Sequence, residues 1–441
     1  MPIGTEAPNI YPTDFRLKRG IYDVDYDQMA VNTDGSINTN SVQNPDTLDA
    51  FARLRVSEPY TIFDSKQIGD NQPLFYDDQE VSGGGTASVY DADRSSSMLN
   101  VSLNTAGLRV RQTKQRLNYQ PGKSQLCIFT FVGNATPADI TKEVGLFDDE
   151  NGLFLRLEST GPSLVSRSYV SGAAFDLPVA QANWNVDTLD GNGASGVDHD
   201  FTKATIFFLD FEWLGVGTVR FGFFIDGRPV YVHHLHHVGV FSSVYMTTPN
   251  LPIRYSIENG GAGAVSSFEH ICSTVISEGG VQVTGIVRSV DRGNTILTTA
   301  GNTLVYPLIS IRLKAAYRDI TVIPTTIEVF ATSTTSYRWA LILNPTVAGN
   351  DAVSWTSLAN SAVEYDVTRD NTNTLTGGTQ IASGYGSSTN QSKSSVEKEI
   401  ANALKIGETI AGAGDELVLA VQNIASGAET YLASLEFREL Q

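Results

Sequence analysis

The run Phe201–His237, FTKATIFFLDFEWLGVGTVRFGFFIDGRPVYVHHLHH, decides the fold. Its first part, Ala204 to Trp213, is dense in Phe, Ile and Leu, side chains that suit a pleated, half-buried surface. Gly215-Val216-Gly217 interrupts it. From Thr218 to Ile225, Val219, Phe221 and Phe223 alternate with Arg220 and Gly222, the period of two expected of a strand. Asp226-Gly227 comes next, and a tight primed turn needs the positive φ that this pair supplies. Pro229 to His237 then returns along its neighbour. An antiparallel meander this apolar cannot stand alone in water, so a second sheet must cover it.

The flanking chain supplies that cover. From Leu54 onward, short strand-like runs recur between turn residues: Tyr60–Phe63, Met98–Leu103, Leu108–Gln112, Gln125–Val132, Gly152–Leu157, Ser163–Val170, Ile253–Ile257 and Ile271–Ile276. No stretch here keeps a helical period over three turns, which points to a β-sandwich over residues 55–280. Ser277-Glu278-Gly279-Gly280 reads as a boundary, and a second series runs from Gln282 to Phe437, giving a second sandwich over 281–441. Residues 369–394, rich in Thr, Gly, Ser and Asn, read as a long exposed loop. One helix is expected at Ser395 to Leu404, with Ser394 and Glu397 at capping-box spacing. Residues 1–54 hold many Asn, Asp, Thr and Pro and read as an extended N-terminal arm with aromatic anchors at Tyr22 and Tyr26, suited to wrapping a neighbouring subunit or packing on its own domain. The fold class is all-β.

Bulk properties exclude several functions. The 441 residues carry 30 Lys and Arg against 48 Asp and Glu, a net charge of −18, which disfavours nucleic acid as a partner. Hydrophobic residues at 41% and charged ones at 18% are those of a folded protein. The two cysteines, Cys127 and Cys272, each sit in an apolar run and read as buried thiols in a chain made in a reducing cytoplasm. No apolar run approaches the roughly 20 residues of a membrane span, and the N-terminus lacks a signal-peptide core.

Candidate chemistry is sparse. In His233-His234-Leu235-His236-His237, strand alternation places His234 and His236 on one face and His233 and His237 on the other; a metal there needs further ligands, for which His199 and His270 are available. Asp187, Asp190, Asp198 and Asp200, and the stretch Asp148 to Gly152, offer oxygen to calcium or are turn chemistry. Asp210 and Glu212 are the carboxylates to suspect in a glycosidase. Trp184, Trp213, Trp339 and Trp355 either stack on sugars or pack in cores. No nucleophile elbow, P-loop or zinc helix occurs, so no catalytic, cofactor-binding or metal-ligating residue is assigned and no cofactor is expected.

Several separated stretches carry a resemblance: Asp49 to Ser57, Tyr119 to Ser124, Gly145-Leu146-Phe147-Asp148-Asp149, Asp210 to Gly217 and Cys272 to Ser277. Over residues 48–280 they resemble virion structural proteins of tailed phages and large aquatic viruses. The turn at Ile225-Asp226-Gly227 is also similar to those of concanavalin-like and laminin-G-like lectin sandwiches. The resemblance implies a non-enzymatic virion component built of jelly-roll or lectin-like sandwiches in a tail, fibre or head-decorating position. Its partners would be copies of itself, other virion proteins and a host surface glycan. A free-standing carbohydrate-binding module and a glycan depolymerase are the alternatives.

Overall fold

Phe207, Leu209, Phe211, Val219, Phe221, Phe223 and Val232 of the central meander are all at most 1% exposed, and the rest of the first sandwich closes around them. The computed structural model describes residues 57–301, 303–349, 353–388, 394–395 and 405–440. The expected arm at 1–54 and residues 396–404 of the expected helix lie outside them. Among the described residues no helix is long and apolar enough to cross a membrane.

The strands up to Ser277 are β1 (Tyr60–Lys66), β2 (Tyr76–Gly83), β3 (Thr86–Asp91), β4 (Ser96–Val101), β5 (Gly107–Thr113), β6 (Gln125–Val132), β7 (Ile140–Phe147) and β8 (Gly152–Glu158). They continue as β9 (Gly161–Ser168), β10 (Phe175–Ala180), β11 (Ala204–Phe211), β12 (Val219–Ile225), β13 (Arg228–Leu235), β14 (Ile253–Asn259) and β15 (Ser266–Ser277). They form two antiparallel sheets. One runs β13-β12-β11-β6-β15-β4-β3, with β1 also paired to β15; the other runs β10-β9-β8-β7-β14-β5-β2. Their inner faces share one core that includes Phe129, Phe131, Leu146, Leu153, Leu155, Phe207, Phe221 and Ile257.

Strand ends depart from the sequence reading where the backbone turns. β11 stops at Phe211, because Leu214 and Gly215 take φ of 37° and 78° and lead the chain out of the sheet. The Asp226-Gly227 turn has φ of 51° and 74°, the left-handed pair a tight hairpin requires. In β13, Phe221 opposes His233 and Gly222 opposes Tyr231, so Val232 is the extra residue of a bulge and alternation is broken ahead of the histidines.

A second pair of antiparallel sheets with its own core follows. One joins Ile286–Asp291, Thr430–Leu440, Thr321–Ala331 and Ser394–Ser395; the other has six strands, among them Tyr306–Leu313, Leu417–Asn423 and Ser336–Leu343. The long loop expected at 369–394 is instead largely strand, at Thr374–Thr376 and Thr379–Ser387. Its small residues face aromatics: Gly384 pairs with Trp339, and a side chain at Gly384 would meet the indole at 2.7 Å. The chain is all-β, built of antiparallel sandwiches.

Candidate functional site

The sequence VGLFDDENGLFLRLE, Val144–Glu158, holds the tripeptide Gly-Leu-Phe twice, at 145–147 and 152–154. The intervening Asp148–Asn151 makes a turn in which the Asp148 N–H donates to the Asn151 carbonyl at 2.8 Å. Asp148 Oδ1 accepts the N–H groups of Glu150 and Asn151 at 2.8 and 2.7 Å. The tripeptides therefore pair head to tail: Gly145 opposes Phe154, Leu146 opposes Leu153, and Phe147 opposes Gly152. Side chains alternate across a strand, so both leucines point into the core and both phenylalanines to the outer face. Each glycine faces the Cα and Cβ of the phenylalanine opposite. A Cβ at Gly152 would stand 2.0 Å from Phe147 Cβ, and one at Gly145 2.6 Å from Phe154 Cβ. The rings stack on each other, centroids 4.3 Å apart.

Three arginines cover this floor. The Arg167 guanidinium lies 5.0 Å from the Phe154 centroid, Arg156 5.5 Å from the same ring, and Arg254 5.4 Å from Phe147. The register explains their convergence. Arg156 opposes Glu143 and Ser163, Arg167 opposes Gly152 and Asp176, and Arg254 opposes Gly145 and Gln112. Carboxylates fix each fork. Arg156 Nη2 lies 2.7 Å from Glu143 Oε1 and 2.5 Å from Asp176 Oδ2. Arg167 donates from Nε and Nη2 to Asp176 at 2.7 and 3.1 Å. Arg254 donates to Gln112 Oε1 at 2.6 Å and pairs with Asp149. Burial pushes the Asp176 carboxyl up, but Arg167 and Arg156 outweigh it and hold it below the usual carboxylate range. Both arginines are likewise raised despite burial, by their acid partners.

Above this floor is an open depression of about 330 Å³, lined among others by Val110, Thr141, Glu143, Glu158, Ser256 and Glu258. Pockets for small ligands start near ~300 Å³. The chemistry offered is hydroxyls, carboxylate oxygens and guanidinium N–H groups on a rigid β-face. That set can both donate and accept hydrogen bonds.

The residues singled out in the sequence lie elsewhere. Asp210 is 4% exposed, accepts from Ser124 Oγ at 2.8 Å and pairs with Arg220, whereas Glu212 lies past the end of β11 and accepts the Thr218 N–H at 3.3 Å. The two carboxylates thus bond different partners. His199, His233, His237 and His270 are packing and capping groups, whereas the His234 and His236 rings lie 6.0 Å apart toward the outer face. His233 Nδ1 accepts the Asn185 N–H at 3.1 Å, and His237 bonds the Gly217 carbonyl at 2.6 Å while stacking on Tyr245. His199 bonds Thr205 at 3.0 Å, and His270 is buried between Tyr255 and Arg111. Burial lowers His199, His233, His234 and His237, and His270 well below the ordinary range. Among the described residues no three His, Cys, Asp or Glu converge as a metal shell.

The acidic loops are turn chemistry. Asp187 accepts the N–H groups of Leu189 and Ser195 at 2.9 and 2.5 Å, and Asp200 that of Thr202 at 2.9 Å. The indole N–H of Trp184 donates to Val179 and that of Trp213 to Met246, both against the first core. Trp339 packs on the second core, and Trp355 lies under Arg312. Both cysteines are free; Cys127 is buried, but Cys272 only half so.

No family model and no curated protein matches the chain. Solved structures with some likeness include the carbohydrate recognition domain of Emp47p, at 14% identity and a TM-score of 0.31 over 51% of this chain and 98% of that one. The beta-glucanase of Bacillus licheniformis gives 8% identity and 0.31 over 51% and 99%. A legume lectin-like domain from Entamoeba histolytica gives 8% and 0.29 over 48% and 96%. Lectins and glycoside hydrolases thus stand side by side in this group, at scores too low to choose a function. The assignment of a sandwich rests on the strand order itself.

Proposed function

We propose that the chain is a non-enzymatic structural subunit of a virus particle, in a tail, fibre or head-decorating position, whose first sandwich holds a host surface glycan in the depression over β7, β8 and β14. The observation that carries the binding part is the trio of guanidinium groups held over Phe147 and Phe154, with their orientation fixed by carboxylates. Donors fixed before the ligand arrives spare the ordering cost of binding.

Holding rather than turnover is supported by where the acids are. A general acid must carry a proton near neutral pH: Glu143 and Asp176 are tied to arginines and Asp176 is held low, and the lining acids Glu158 and Glu258 are exposed to water rather than enclosed. The particle position is supported by the sequence resemblance over residues 48–280, and it implies self-association and contact with other virion proteins.

Light scattering of the purified chain, with immunogold labelling of intact particles, tests this reading. A defined homo-oligomer and labelled particles are expected; a monomer absent from particles overturns it. A free-standing carbohydrate-binding module would bind the same glycans as a monomer. A depolymerase would release sugar from them, and changing Asp210 or Glu212 would abolish that release.

A further inference from the structure

Resting on the glycan reading, we infer that the depression is selective for uncharged glycans and rejects those carrying uronate, sulfate or sialic acid. Three arginines on one face look at first like an anion site, but much of their donor capacity is already engaged by built-in acceptors. Arg156 Nε and Nη2 face Glu143 and Asp176, and Arg167 Nε and Nη2 face Asp176 while its Nη1 donates to the Asp148 carbonyl at 2.9 Å. Arg254 is divided between Gln112 and Asp149. An incoming carboxylate or sulfate has to displace a built-in carboxylate to take the Nε–Nη2 edge of Arg156 or Arg167, and it gains little by the exchange.

Two further acids tip the balance. Glu258 opposes Thr141 on β7, and Glu158 lies two residues beyond Arg156 on β8, so the pair flanks Thr141 from either side. Both are exposed and line the depression, and neither has an ion-pair partner among the described residues. The lining counts Glu143, Asp149, Glu158 and Glu258 against Arg156, Arg167 and Arg254, one negative charge in excess, with Asp176 behind adding another. The chain as a whole carries −18. Hydroxyl groups meet no such barrier: they donate to the free carboxylate oxygens and accept from the guanidinium hydrogens left over. Two exposed carboxylates at contact distance in water-like surroundings disfavour an anionic group by about tenfold.

Calorimetric titration of the full chain with neutral gluco-, manno- and galacto-oligosaccharides, each beside its C6-oxidised uronate form, tests this. The expected result is binding of a neutral member, with its uronate partner about tenfold weaker. Equal or tighter binding of the uronate overturns the selectivity while leaving glycan binding standing. If neither form of any pair binds, the glycan reading falls and this inference with it. The Glu158→Gln/Glu258→Gln double variant, checked for its melting transition, is expected to move the uronate-to-neutral affinity ratio toward one; an unchanged ratio also overturns the inference.

Discussion

Arg116, in the first sandwich, places Nη1 3.2 Å from Oδ1 of Asp319 in the second. The same nitrogen lies 2.6 Å from Asp148 Oδ2, and Nη2 lies 3.5 Å from Glu408 Oε1, with the arginine side chain only 5% exposed. One buried cation thus joins carboxylates of both sandwiches, beside the hydrogen bond from Asn250 Nδ2 to the Asp319 carbonyl at 2.9 Å. Among the described residues, removing the cation leaves the buried Asp148 with only its backbone N–H partners, and Asp319 and Glu408 with only Arg318 to offset their charge. Arg116→Met is therefore expected to cost about 3–5 kcal/mol, read as a lower denaturation midpoint at neutral pH. An unchanged midpoint would show the junction to be incidental.

The same junction sets a pH dependence. Burial raises the Asp319 and Glu408 carboxyls above their ordinary range, against the opposing pull of Arg116. Groups raised on folding take up protons as pH falls from neutral toward the ordinary carboxylate range, so the folded state gains stability across that window. Asp148 has the opposite sign: burial pushes it up, but Arg116 and the N–H groups of Asn151 and Glu150 outweigh this and hold it low. Its contribution is present above its unfolded value and is lost as pH drops through its folded value. Asp176 behaves likewise. Melting temperature is expected to rise from neutral to mildly acid pH and then to fall, and Asp319→Asn is expected to flatten the rise. A steady fall from neutral pH would refute this assignment.

The reciprocal Gly–Phe pairs predict an intolerance to the smallest possible change. Gly152→Ala puts a methyl group 2.0 Å from Phe147 Cβ, and Gly145→Ala puts one 2.6 Å from Phe154 Cβ. The atoms met are Cα and Cβ, which a change of side-chain rotamer does not move, so the backbone of the paired strand must shift. Each substitution is expected to cost about 1–3 kcal/mol, measured as a lower melting temperature. Because the atoms met at Gly152 are Phe147 Cα and Cβ, which leucine keeps, adding Phe147→Leu is not expected to recover that loss.

The core was legible in the sequence and the site was not. The meander announced itself through alternating Val219, Phe221 and Phe223 and the Asp226-Gly227 turn, because burial on one face of a strand writes a period of two. Edge strands β2, YDDQEVSG, and β3, TASVYD, bury little and carry no such period, so they escaped notice. The bulge at Val232 precedes the histidines and leaves their own alternation intact: His233 and His237 are buried, while the His234 and His236 rings lie 6.0 Å apart. Arg156, Arg167, Arg254, Glu143 and Asp176 come from five strands and meet only through register, which single-chain patterning does not record. The one local clue was the repeated Gly-Leu-Phe, whose glycines give close approach to the Cα and Cβ of the phenylalanine on the partner strand.

The most direct test is a glycan array probed with the full chain and with Arg156→Gln, alongside an assay for released sugar. The account predicts retention of uncharged glycans by the unaltered chain, at least about tenfold weaker retention by the variant, and no sugar released. Retention indifferent to Arg156, or steady release of sugar from the bound glycan, would contradict it.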